Sequence, residues 1–185
     1  MDHGAVSYRR FLDGDDNGIV EIIRDYKDGL MLFLNQYVHN IHIAEELTED
    51  TFFRIVTKKP RYAAKASFKT WLYTIGRNTA INHIRRERKI SDTSGEDFDG
   101  LVKDEETIEQ SYLREEQKIL VHRALSKINA EYGTVLYLKF FENLTNEQIV
   151  KVTKKNRRQI ENQIYQAKQA LRAELEKEGF SYEGL

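Results

Sequence analysis

Residues Ser67 to Lys89 read S-F-K-T-W-L-Y-T-I-G-R-N-T-A-I-N-H-I-R-R-E-R-K. Phe68, Trp71, Leu72, Ile75 and Thr79 recur at i, i+3, i+4, i+7 and i+11, a spacing that gathers side chains on one face of an α-helix. Ser67 stands where its hydroxyl can cap that helix. The other face holds Lys69, Arg77, Asn78, Asn82, Arg85 and Arg86. Arg85, Arg86, Arg88 and Lys89 crowd the last turns, where cations suit the negative end of the helix dipole. An aromatic face backed by Asn and Arg suits a helix that touches nucleic acid. A plain surface helix with a solvated basic end has the same pattern, so the flanking sequence must decide.

Upstream, Met1 to Asp15 shows little periodicity and reads as loose. Asn17 to Tyr26 and Asp28 to His39 read as two helices, the second with Leu30, Phe33, Leu34, Tyr37 and Val38 on its apolar side. Ile43 to Lys58 reads as a third, with Ala44, Leu47, Thr51, Phe52 and Ile55 inward and Glu45, Glu46, Glu49 and Asp50 outward. Pro60 ends it, because the residue before a proline is pushed out of helical geometry. Arg61 to Ala66 is then a short loop into the opening helix.

Composition narrows the class. The chain has 185 residues, one proline, no cysteine and 32% charged residues. Disulfides and thiolate metal sites are excluded, and the abundance of Lys, Glu, Arg and Gln favours an all-α fold. The sequence shows no apolar run long enough to cross a bilayer and no signal peptide, so a cytoplasmic protein without membrane insertion is expected. Net charge is −1, but the charge is segregated along the chain, and segregation is the more informative quantity.

Downstream of the opening helix, Ser91 to Glu106 holds seven acidic residues and one lysine, with Phe98, Leu101 and Val102 its apolar content. Such a stretch buries too little surface to fold alone and reads as a flexible acidic linker between two small helical domains. The expected division is residues 1–90, a linker over 91–110, and residues 111–185. In the last part, Leu113 to Ile128 is one expected helix, with Leu120, Ala124, Leu125 and Ile128 inward. Asn129 caps the next, which runs to about Phe141 with Val135, Leu136, Leu138 and Phe140 available for a core. Thr145 and Gln148 form a capping box on a short helix. After a break at Thr153 to Lys155, Asn156 caps a long helix with an Ile160, Ile164, Ala167, Leu171, Leu175 stripe. A short capped helix, a tight turn and a longer helix opening on basic residues is the pattern of a helix-turn-helix, and Lys151 to Arg158 contains five basic residues. A plain helical hairpin shares it.

Taken together, three segments resemble bacterial RNA polymerase sigma factors of the extracytoplasmic-function (ECF) group. They are A-E-E-L-T-E-D-T-F-F-R-I (Ala44 to Ile55), Ser67 to Arg86, and L-T-N-E-Q-I-V-K-V (Leu144 to Val152) with Y-Q-A-K-Q-A-L (Tyr165 to Leu171). The resemblance implies a non-enzymatic, cofactor-free initiation factor that binds core RNA polymerase, recognises the minus-ten and minus-thirty-five promoter elements and promotes strand opening. It implies that Glu46, Glu49 and Asp50 meet the clamp helices of the largest polymerase subunit, with the flap of the second largest as a further contact. An anti-sigma protein is an allowed partner. By the same resemblance, Tyr62, Lys65, Ser67, Asn78 and Asn82 would hold bases of the minus-ten element, and Arg77, Arg85 and Arg86 its backbone. Arg157 and Arg158 would lie on phosphates of the minus-thirty-five element, with Glu161, Asn162, Gln163, Tyr165 and Gln166 toward its major groove. The acidic linker would thread the RNA channel.

The chain departs from the family pattern at the turn. Lys154 and Lys155 stand for the usual Gly and Ile, Glu161 for a common basic residue and Gln163 for Arg, which implies a target sequence unlike the common one. Two other readings compete. A helix-turn-helix regulator that does not bind core polymerase would explain the second half but not the Ser67 to Lys89 helix. A metal enzyme built on His39, His42, Glu45 and Glu46 has no supporting second cluster.

Overall fold

The structure, a computed structural model, describes residues 2–94 and 116–178. All regular elements among them are helical. Helix α1 (His3–Leu12) forms where the sequence suggested loose chain. Its buried face, Gly4, Ser7, Tyr8 and Phe11, carries only two large apolar side chains, and so short a helix owes its stability to docking. Asp2 supplies its start, accepting the Ala5 amide at 3.2 Å, and the second oxygen of the same carboxylate accepts the Phe68 amide at 2.7 Å. One side chain therefore caps two helices 66 residues apart. Tyr8 donates its hydroxyl to the Pro60 carbonyl at 2.7 Å, and burial pushes this phenol up to about 12.

Helix α2 (Asn17–Val38) is continuous, where the sequence suggested two helices meeting near Lys27. Gly29 lies inside it, and its missing side chain serves a close approach, since a Cβ there would lie 2.6 Å from the Glu142 carboxylate. His39 closes α2 in the left-handed region with φ 49°, and Asn40 caps α3 (Ile41–Lys58) by accepting the amides of His42 and Ile43. His39 and His42 thus fall on opposite sides of a helix junction. Among the described residues no three His, Cys, Asp or Glu side chains converge as a metal site would need. Lys59 ends α3 with φ 42°, one residue before Pro60.

Helix α4 (Phe68–Ser94) follows the loop. Ser67 caps it, its hydroxyl accepting the Thr70 amide at 3.3 Å. The buried residues of α4 are Phe68, Thr70, Leu72, Tyr73, Gly76 and Ala80. Trp71 and Ile75, expected in the centre of the buried face, lie half-buried at its margin. Tyr73 displaces them because α4 packs on more than its own half of the chain. The first four residues of the expected linker are helical, and the remainder of that stretch lies outside the described residues.

The C-terminal part comprises α5 (Glu116–Lys127), α6 (Ala130–Leu136), α7 (Asn146–Thr153) and α8 (Arg157–Lys177). Between α6 and α7, Tyr137–Phe141 forms one wide π-helical turn, closed by the Glu142 amide on the Tyr137 carbonyl at 3.2 Å. That turn swings Phe140, expected in the core, out to 51% exposure, with the Lys168 ammonium 5.1 Å from its ring centre. Both expected caps form complete capping boxes, Thr145 with Gln148 and Asn156 with Gln159. Lys154 makes the turn between α7 and α8 with φ 59°.

The two helical units are docked. Helix α2 packs against α6, and α4 against α7. Phe33 of α2 sits 5.0 Å from the Tyr73 ring and 6.5 Å from that of Tyr137, so the apolar cluster of the N-terminal helices continues into Leu125, Leu136, Leu138, Ile149 and Ile160.

Candidate nucleic-acid interface

The loop from Arg61 to Ser67 leaves α3 at Pro60 and re-enters helix at Phe68, pinned at both ends by α1 through the Tyr8–Pro60 and Asp2–Phe68 bonds. Within it Tyr62 is half-buried, its ring 5.7 Å from Phe68 and 5.4 Å from Trp71, its hydroxyl donated to the Ala66 carbonyl at 2.6 Å. Tyr8, Tyr62, Phe68 and Trp71 form one aromatic box under the loop. A rigid loop over such a box can present backbone groups and a ring face to an unstacked base.

The structure divides the expected minus-ten residues. Asn82, Arg85 and Arg86 are exposed on the outer face of α4. Arg77 and Asn78 are half-buried, with Arg77 beside the Tyr37 phenol, which burial pushes up and the guanidinium partly draws back. Lys65 has an exposed side chain, but its carbonyl accepts the Lys151 ammonium at 2.9 Å. Ser67 shares a 2.8 Å hydroxyl contact with Thr70 and accepts the Gln148 amide at 3.1 Å. The loop and the first turn of α4 therefore face α7, while the basic second half of α4 faces solvent.

The second surface is open. Helix α8 spans 21 residues, about 32 Å at ~1.5 Å per residue. Its first turn presents Arg157 and Arg158, both exposed, where the helix N-terminus and the guanidinium groups add to one positive field. Arg157 pairs with Glu161 at 2.8 Å and with Glu147 at 3.5 Å. Glu161, Asn162, Tyr165 and Gln166 are exposed, Tyr165 at 61%. Gln163 is the exception. It turns back toward α6, donating to Glu131 at 2.9 Å with its carbonyl oxygen buried, and Lys155 pairs with that same Glu131 at 2.8 Å.

A third surface lies on α3. Glu46, Glu49 and Asp50 are exposed in a row. One turn on, Phe53 is 68% exposed and Val56 is 38% exposed. Sequence reading passed over this apolar pair, although Phe53 falls just outside the inward stripe and a large ring there needs a reason. An exposed aromatic beside a charged rim is the composition of a protein-docking surface.

Comparison with known proteins gives a consistent picture. The sigma-70 region 2 family model matches residues 22–90 and the sigma-70 region 4 model residues 118–171. RNA polymerase sigma-H factor of Pseudomonas aeruginosa is 28% identical over 166 residues, covering 85% of this chain and 86% of that protein. Sigma factor SigV of Bacillus subtilis is also 28% identical, covering 88% and 94%. Among solved structures, RpoE bound to the anti-sigma factor NepR from Bartonella quintana superposes with a TM-score of 0.68 at 20% identity, covering 84% of this chain and 95% of that one. CnrH bound to the cytosolic domain of CnrY gives 0.66 at 14% identity, covering 95% and 99%. These two show the shared fold.

Proposed function

The chain belongs to the sigma-70 family, in its extracytoplasmic-function group, and from that premise we propose how its surfaces divide the work of starting transcription. It is a sigma factor, which directs RNA polymerase to promoters. The observation that carries this reading is the pair of family regions, in order, on α2–α4 and α5–α8. The division of labour rests on the geometry of each surface.

The acidic row Glu46, Glu49 and Asp50, with Phe53 and Val56 beside it, is the dock for core polymerase, and the clamp helices of the largest subunit are its partner. A row of like charges is favourable only against a basic counterpart, and the exposed phenyl ring supplies area that a purely electrostatic contact lacks. The C-terminal half reaches the flap of the second largest subunit. The loop Arg61 to Ser67 and the outer face of α4 take the minus-ten element. Taking a base out of the stack needs a few kcal/mol, returned by stacking over the Tyr62 box and by hydrogen bonds from Ser67 and Asn78. Arg85, Arg86 and Asn82 hold the backbone. Helix α8 enters the major groove at the minus-thirty-five element, with Arg157 and Arg158 on phosphates and Asn162, Tyr165, Gln166 and Glu161 toward base edges. Gln163, tied to Glu131, positions the helix in this reading rather than reading a base. The factor performs no bond chemistry and works in the cytoplasm, and an anti-sigma protein is a suitable regulator. No helix among the described residues is long and apolar enough to cross a membrane.

In vitro transcription with core polymerase, this protein and a genomic promoter library tests the reading. Specific initiation at a shared pair of elements is the expected result. A protein that binds promoter DNA but never core polymerase would instead be the helix-turn-helix regulator.

A further inference from the structure

A carboxylate outside the helix-turn-helix holds two side chains that belong to it. Glu131 stands in the first turn of α6 and donates its amide to the Asn129 side-chain oxygen at 2.8 Å, so its backbone is fixed at the helix start. One oxygen of its carboxylate accepts both the Lys155 ammonium at 2.8 Å and the Gln163 amide at 2.9 Å. Lys155 follows the left-handed turn residue Lys154, and its side chain is only 23% exposed, whereas Glu131 is 62% exposed. The other cation of this region is held more loosely. Every member of the Arg157 pairs with Glu147 and Glu161 is half exposed or more, so water screens them. Gln163 is half-buried, and its carbonyl oxygen is buried without a partner among the described residues. Three residues before Gln166, Gln163 stands about 60° round the helix from it. That places Gln163 on the flank of the exposed face of α8, next to the side chains that point outward, rather than beneath the helix.

We infer that Glu131 is a specificity-determining residue that acts through α8: its carboxylate withholds Lys155 from the DNA backbone and Gln163 from the base edges. The inference rests on the reading of α8 as the helix that enters the major groove, and it names what limits the bases read there. Glu131 is a positioning residue, since it acts on DNA only through the two side chains it holds. The two duties differ in kind. An ammonium freed from Glu131 would meet a phosphate and strengthen binding to every sequence alike. A glutamine freed from Glu131 would carry sequence information, because its amide can pair with both N6 and N7 of adenine. The unsatisfied Gln163 oxygen shows which way that side chain would go. The bond to Glu131 is what holds the amide back, and without it the oxygen is better served by water or by a base edge. The carboxylate therefore lowers affinity by one cation and narrows the read sequence by one side chain, and specificity is set as much by what a surface withholds as by what it offers.

Holoenzyme assembled from core polymerase and the full chain tests this on a promoter library with the minus-thirty-five positions randomised. In the parent, Q163A should leave the base preferences unchanged. E131A should add a preference for adenine at one position, by roughly fivefold to a hundredfold, the range for one bidentate pair. E131A/Q163A should lose that preference again. A change that merely loosened the fold would weaken every preference and create none. E131Q separates the two duties, because its amide oxygen still accepts from Gln163 but no longer balances Lys155. With E131Q the slope of log affinity against log salt on the selected promoter should steepen by about 0.9, the value for one added phosphate contact, and K155M in the same background should cancel the change. Preferences that already shift in parent Q163A, or E131A with no new preference, would overturn the hold on Gln163. An unchanged slope in E131Q would overturn the hold on Lys155. A holoenzyme indifferent to the minus-thirty-five positions, or a chain that never binds core polymerase, would instead sink the reading of α8 on which the inference rests.

Discussion

The two expected DNA-facing surfaces are built by opposite means. The loop before α4 is held by bonds between residues far apart in sequence, Asp2 to Phe68 and Tyr8 to Pro60, over a box of four aromatic rings. Helix α8 is held by neighbours, with a capping box at Asn156 and Gln159, an i,i+4 ion pair at its start, and a stripe of Ile160, Ala167 and Leu175 beneath. The first surface is rigid and covered by the other half; the second is local and open to solvent. An anchor that only needs a helix and a few cations can stand ready at all times. A pocket for an unstacked base needs a scaffold, and here two buried rings, Tyr8 and Phe68, hold two half-buried ones, Tyr62 and Trp71.

The sharpest way to break this contrast is to remove the ring that touches the other three of the box. Phe68→Ala should destabilise the chain by about 3–5 kcal/mol, as for other fully buried Phe residues, and chemical denaturation reads it directly. Loss of under about 1 kcal/mol would mean that the aromatic box is not the scaffold.

Next in size is an acid response located in the C-terminal half. His122 is buried against Tyr137 and Phe141, and burial lowers it from 6.5 to about 4. The folded state therefore binds fewer protons than the unfolded chain between those values, so stability falls as pH drops from about 6.5 to about 4, by up to roughly 3 kcal/mol. Thermal melts of His122→Leu should show a flatter pH dependence across that window; an unchanged slope would place the acid sensitivity elsewhere.

Caps give a finer comparison. Thr145→Ala should cost about 1 kcal/mol, the ordinary value for one cap. Asp2→Ala removes caps from α1 and α4 together and should cost about twice as much. It should also raise amide hydrogen exchange at Phe68, whereas Thr145→Ala should act only on α7. Equal effects would show that the long-range bond adds nothing.

The smallest effect on stability is expected at Arg157. Its ion pairs are exposed, so Arg157→Ala should shift stability by less than about 0.5 kcal/mol. In the proposed function the same variant should reduce the salt dependence of promoter binding by about one ion while weakening all sequences alike. A change in base preference would reassign Arg157 to base reading.

What could be read from the sequence follows the same division. The Thr145–Gln148 capping box and Asn156 as a cap were legible because a cap lies within four residues, and the Ile160 stripe because it repeats within one helix. Ser67 as the cap of α4 and the exposed row Glu46, Glu49 and Asp50 were legible for the same reason. Helix α1 was missed because its support is Phe68 and Pro60, more than fifty residues away. The apparent break near Lys27 misled because α2 runs on through it, and Gly29 just beyond answers to Glu142, far away in sequence. The bond from Gln163 to Glu131 was not legible, because nothing near Gln163 in sequence reveals that partner. Local chemistry shows in local sequence; long-range contacts do not.

The wide turn at Tyr137–Phe141 holds one residue more than an α-helical turn would. It acts as an index mark. Were the same five residues wound as an ordinary α-helix, the spare residue would carry Glu142 and all that follows round by about 100°. The key would survive with its teeth intact and no longer face its lock, so at this place spacing, rather than the identity of any side chain, sets whether the two halves meet.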